Sequence, residues 1–222
     1  RPHQAQRLIF NITRQRIPHH SIDVGYMVDD STLYVKINQF ITTTSSEFLA
    51  LLLEHKSAKR LIIDLCGNGG GLLYQAQAIA SVVLDKGATI VSTQGRAIPK
   101  RTLTAVRGPK FKGEVVILVD ENTASASEIV AGAVQDWDRG IIIGRQTFGK
   151  GLVQRQIELN DSSAIRLTIA RYNTPSGRVI QRPYERGNRE QYQKAHIDRL
   201  KGGNTRQESD SLPKYYTLNN KR

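Results

Sequence analysis

The stretch that most limits how this chain can fold runs from Val115 to Val134. Residues 115–119 are an unbroken run of Val, Ile and Leu, the length of a buried strand and too short for a helix. Residues 129–134 set apolar and small side chains at helical spacing, which lets a helix pack closely. Between them lie only polar or small residues, so the chain has to turn from strand to helix there. Ser125 falls on that turn, beside the first N–H groups of the helix, which lack intrahelical partners. Two roles compete for it. As an N-cap its hydroxyl would satisfy an orphan donor; as a nucleophile it would use the same free N–H groups for another purpose. Taken alone, the segment favours the cap.

The same alternation recurs along the chain. Residues 32–37 alternate like a strand, and residues 44–47 match a capping box that opens a helix continuing through 48–53. Residues 61–65 read as a strand, 72–84 as a helix, 89–91 as a strand, and 140–144 as a further buried strand. Strands and helices in turn, joined by short connections, predict an α/β domain with a mainly parallel sheet and flanking helices. Before this core, residues 8–12 alternate like an edge strand and residues 18–20 read as a linker. Beyond Gln181 the sequence is basic, polar and poor in apolar residues, without a clear further element. The expected organisation is therefore an N-terminal strand and linker (1–20), a core (21–181) and a basic tail (182–222).

Composition removes several classes of function. No apolar run approaches the length that spans a bilayer, and the polar opening residues are not a basic-then-apolar leader. Cys66 is the only cysteine, so neither an internal disulfide nor a cysteine zinc cluster can form. The net charge of +12 invites nucleic acid as a partner. However, the seven Lys/Arg residues between Lys86 and Gly113 lack interleaved aromatics and do not form a recognition helix. A solvated basic face is the simpler account, and no nucleic-acid partner is expected.

Three further stretches bear on chemistry. Residues 67–71 are four glycines and Asn68, set between a strand and a helix. Leu72 occupies the third glycine position of a dinucleotide fingerprint, which fails on that account. What remains open is an oxyanion-binding turn or a turn that only brings helix and strand together. Residues 144–150 fit the spacing of a phosphate-binding loop, but Gly151 replaces the magnesium-binding hydroxyl and the following residues do not start a helix. If 150–159 is extended instead, Lys150, Leu152 and Gln154 share one face. A lysine there could act as a base once burial in an apolar pocket lowers its pKa, with Gln154 orienting it. A solvated strand-end lysine is the alternative. The five histidines lie in termini, linker or helix end, so none gives local support to a Ser-His-Asp arrangement.

With these residues assembled, the chain resembles the C-terminal processing peptidases, or tail-specific proteases. The matching blocks are DLCGNGGG (64–71), ENTASASE (121–128), TFGKGLVQ (147–154) and TPSGR (174–178), in the family's order over about 115 residues. The resemblance implies a crotonase/Clp-protease-like α/β core and a Ser-Lys serine peptidase that needs no metal or organic cofactor. It implies Ser125 as nucleophile, Lys150 as general base and Gln154 as the residue that orients it. The oxyanion hole would combine the Ala126 N–H with one from Gly70 or Gly71. It further implies a protein or peptide substrate with an accessible C-terminus, an exported location in a bacterial periplasm or envelope, and room for a homo-oligomer.

The chain also departs from the family. Cys66 stands where an arginine is usual, so the ion pair that arginine makes is in question. Family members usually carry a PDZ domain before the core, of which at most a last strand near 8–12 could be present here. Two other readings follow from these points: a PDZ-less homologue that binds peptide without cutting it, and, on fold alone, a crotonase-like protein handling acyl-CoA.

Overall fold

A computed structural model describes residues 10–14, 19–108, 110–184, 187–201 and 213–222. Its elements run β1 (Ile22–Asp29), β2 (Thr32–Ile37), α1 (Thr44–Glu54), β3 (Arg60–Asp64), α2 (Leu73–Val83), β4 (Thr89–Gln94), β5 (Arg101–Thr104), β6 (Glu114–Val119), α3 (Ala126–Asp136), β7 (Ile141–Gly144), β8 (Leu152–Glu158), β9 (Ala164–Asn173) and α4 (Arg189–Leu200).

The first sheet has the order β1-β2-β3-β6-β7. From β2 to β7 every pairing is parallel, and β1 joins antiparallel through the tight turn at its end. Alternate residues of β2, β3 and β6 point into the helical layer: Leu33, Val35, Leu61, Ile63 and Ile117 are fully buried. They meet Ile79, Ala80, Ile129, Val130 and Val134 from α2 and α3 in one apolar core. At about 25 cal/mol per Å² of apolar surface, this layer is the main source of stability. The parallel α/β layer expected from the sequence is thus present.

Some local readings change. Residues 141–144 form a strand, but it is the sheet's outer edge, with Ile141 and Ile143 exposed rather than buried. An apolar run of that length cannot distinguish an interior strand from an edge strand. At α1 the cap is Thr43, and Thr44 is buried as the first helical residue. Glu47 does not close a capping box with Thr44. Its carboxylate accepts bonds from the Thr43 hydroxyl and from Ser21 and Ile22 at the start of β1. Residues 10–14 carry no regular structure, with Phe10 and Ile12 exposed; the other residues of the expected edge strand lie outside the described ones.

A second sheet, β5-β4-β9-β8, is wholly antiparallel; it contains the strand expected at 89–91 and the extended segment considered at 150–159, while β5 and β9 have no counterpart among the expected strands. The Trp137 indole at the end of α3 donates to the Thr89 carbonyl at 2.7 Å, tying this sheet to the helical layer. The basic segment after Gln181 also contains structure, namely α4. Its polarity hid it, because only the Arg199 position is buried and there is no apolar stripe to read. Residues 213–222 return to the end of α3, where the Leu218 N–H donates to the Asp136 carbonyl at 2.7 Å.

Candidate active site

The turn between β6 and α3 is built by Asp120. Its Oδ1 accepts from the N–H groups of Gly67, Asn122 and Thr123 at 2.9–3.0 Å. Burial alone would raise the Asp120 pKa; these donors outweigh it and hold the carboxyl below its ordinary value. Ser125 follows as the N-cap of α3 with φ at +57° and ψ at −114°. That conformation is costly for a residue with a side chain, and such strain collects where geometry is imposed for function. The cap position predicted for Ser125 is therefore real, but it is not a relaxed cap.

The glycine turn is pressed against it. A Cβ on Gly70, whose φ is +97°, would lie 2.7–2.9 Å from the Ala124 carbonyl oxygen, the Ser125 Cβ and the Ala126 nitrogen, so only glycine permits the approach. Asn68, fully buried, locks the turn in place. Its amide donates to the Ile37 carbonyl, its Oδ1 accepts from the Gly70 N–H, and its carbonyl accepts from the Ala124 N–H and the Ser127 hydroxyl. The Gly70 N–H is therefore already committed to Asn68. Of the two turn amides named from the sequence, only that of Gly71 has no acceptor among the described residues, as is also the case for Ala126.

Ser125, Lys150, Gly70 and Gly71 line a single cleft of about 360 Å³, together with Asn38, Gln39 and Gly69. Four expected site residues from three separate segments meet there. Gln154 does not join them: its amide donates to the Thr168 hydroxyl on β9 at 3.4 Å, and it is absent from the cleft wall. Strand periodicity puts it on the side of Lys150, but Lys150 precedes the strand, in an irregular loop. The Lys150 side chain is exposed, so the described residues do not supply the apolar burial expected of a neutral amine.

A residue with no assigned role in the sequence reading holds the site together. Glu128 on α3 is 5 % exposed. Its Oε2 accepts from the backbone N–H of Ser125 and of Lys150, both at 2.8 Å, and its Oε1 accepts from the Gly149 N–H and the Thr147 hydroxyl at 2.7 Å. One carboxylate thus fixes the backbones of both the serine and the lysine. A buried acid three residues after a helix cap was the available clue, but it reads equally well as a capping-box acid.

Next to Cys66, the ion pair in this chain comes from the neighbouring strands. Asp64 pairs with Lys36 of the adjacent strand at 3.1 Å and accepts from the Tyr34 hydroxyl at 2.6 Å. Lys36 also donates to the Cys66 carbonyl. Burial and then Asp64 push the Cys66 thiol up to about 11, so it is inert. In the fourth block, Arg178 and the Ser176 N–H bind the Asp136 carboxylate at 3.2 and 2.9 Å, closing the far end of α3.

The cleft thus brings together a strained helix-capping serine, a lysine and the Gly71 amide at the edge of a parallel α/β layer. Comparison with known proteins agrees. Residues 31–186, more than half of the chain, match Peptidase family S41, and the chain belongs to that family. It is 42% identical over 144 residues to a carboxyl-terminal-processing protease of Picosynechococcus, covering 64% of this chain and 34% of that protein. It is 36% identical over 172 residues to the carboxy-terminal processing protease CtpA of Bacillus subtilis, covering 77% and 37% respectively. Among solved structures, the photosystem II D1 C-terminal processing protease superposes with a TM-score of 0.67 at 30% identity, covering 76% of this chain and 47% of that one. The chain spans about a third of the length of these two curated relatives.

Proposed function

We propose that this chain is the catalytic core of a serine endopeptidase that cleaves near the C-termini of exported or unfolded proteins, on a crotonase/Clp-protease-like core. The observation that carries the reading is the shared cleft of Ser125 and Lys150, with both backbones bound to the Glu128 carboxylate. Ser125 Oγ attacks the peptide carbonyl while Lys150 takes its proton. The N–H groups of Ala126 and Gly71 receive the oxyanion. Lys150 returns the proton to the leaving amine, then activates the water that releases the acyl group. Relatives named as processing proteases, one of them chloroplastic, support a protein substrate and a location outside the cytosol; the periplasm or envelope is the location we propose.

The test is turnover of an unstructured protein by wild type, Ser125→Ala and Lys150→Ala. The expected outcome is cleavage by wild type only, with activity rising with pH as a general base requires. A folded wild type that binds the substrate and leaves it intact would instead favour the peptide-binding alternative.

A further inference from the structure

A buried cation ordinarily sits beside a carboxylate, because its desolvation is otherwise uncompensated. Arg199 on α4 is only 9 % exposed, and no ion pair to it is present among the described residues. Its guanidinium instead donates to the carbonyl oxygens of Thr147 at 3.0 Å and Phe148 at 3.4 Å, just ahead of Lys150. Residues 147–150 belong to no helix or strand, so no ladder fixes them. They are held by groups of opposite polarity on two sides. Glu128 accepts from the Thr147 hydroxyl and from the Gly149 and Lys150 N–H groups, while Arg199 donates to the carbonyls of 147 and 148. The Arg182 N–H closes the set on the Gly149 carbonyl at 3.0 Å. Phe148 is wedged edge-on against His196 of α4, ring centroids 4.8 Å apart.

We infer that Arg199 is a positioning residue for Lys150, and that α4 is therefore a working part of the catalytic apparatus rather than a tail. The inference rests on the reading of Lys150 as the base. A buried arginine with no carboxylate in ion-pair contact among the described residues gains little as packing. Its fork of donors does suit two successive carbonyls that no other donor among the described residues satisfies.

The test uses the full chain carrying Arg199→Ala or Arg199→Lys, with Lys194→Ala on the exposed side of α4 as control. With Arg199→Ala, kcat should fall about tenfold or more while KM moves less than about threefold. The Gly149 and Lys150 amides should exchange hydrogen at least about tenfold faster, with β3 and β6 unchanged. Arg199→Lys, keeping the charge but not the fork, should fall between, and millimolar guanidinium should restore part of the alanine variant's kcat. Folded variants with kcat and amide exchange within about twofold of wild type overturn the inference. Should the alanine variant fail to fold, the lysine variant decides by the same two readouts. If wild type itself does not turn over substrate, the reading of Lys150 falls alone, and amide exchange still decides for Arg199.

Discussion

Glu128 is the residue on which most of the site depends. Its two oxygens take four donors, so an amide in its place must turn its NH₂ group toward at least one pair of N–H or O–H donors. Glu128→Gln should lower stability by about 3 kcal/mol, as two buried donors lose their acceptor, and should reduce kcat far more than KM. Urea unfolding and steady-state kinetics on the variant check both. Cys66 gives a second prediction at this scale. With its thiol raised to about 11 by burial and then Asp64, thiolate is scarce at pH 8. Alkylation by iodoacetamide should be on the order of a hundredfold slower than for a free cysteine, and unfolding in urea should remove the difference.

At the scale of elements, α4 and the loop before β8 behave as one unit. His196 sits between them, its pKa lowered by burial first and then by the Arg199 and Arg182 cations, against a smaller opposing pull from Glu121. Its Nδ1 is buried with no hydrogen-bond partner among the described residues, and its ring meets Phe148. Because the folded form binds a proton less readily than an unfolded histidine near 6.5, the contact is complete above that pH and weakens as pH falls below it. Protection factors of the amides across residues 147–150, which remove the intrinsic slowing of exchange in acid, should therefore fall as pH drops below about 6.5, and His196→Phe should flatten that dependence. The elements themselves differed in how readable they were. β2 and β6 carry one buried face each, which leaves a period in the sequence, and α3 is buried along nearly its whole length, which leaves a run of apolar and small residues. β9 and α4 are mostly exposed along their lengths, and exposed residues need no pattern.

For the molecule as a whole, stability is tied to carboxylates that bridge distant segments. Glu47 joins α1 to the start of β1, Asp64 joins β3 to β2, and Asp120 joins the two catalytic turns. In each, burial raises the pKa but hydrogen bonds outweigh it and leave the value lowered. A lowered carboxylate pKa stabilises the fold above the unfolded value, near 3.8 for Asp and 4.5 for Glu, and that stability is lost as pH falls further. Urea midpoints should hardly vary from pH 7 to 5 on account of these groups and should drop steeply below about pH 4. Asp64→Asn should make the acid limb shallower.

What the sequence determined by itself was the α/β layer, the turn bearing Ser125, the close-packed glycines and the family blocks. Local causes fix all of these: side-chain period, the missing Cβ of glycine and the identity of residues at a turn. Only tertiary structure decided that Asn68 claims the Gly70 amide, that Gln154 turns to Thr168, that Lys36 answers Asp64, and that Arg199 comes back to the loop before Lys150. Each of those is a polar contact between residues 2 to 52 positions apart. Hydrogen bonds of that kind leave no period behind, because a polar side chain finds its partner only after the apolar layers have set the backbones side by side.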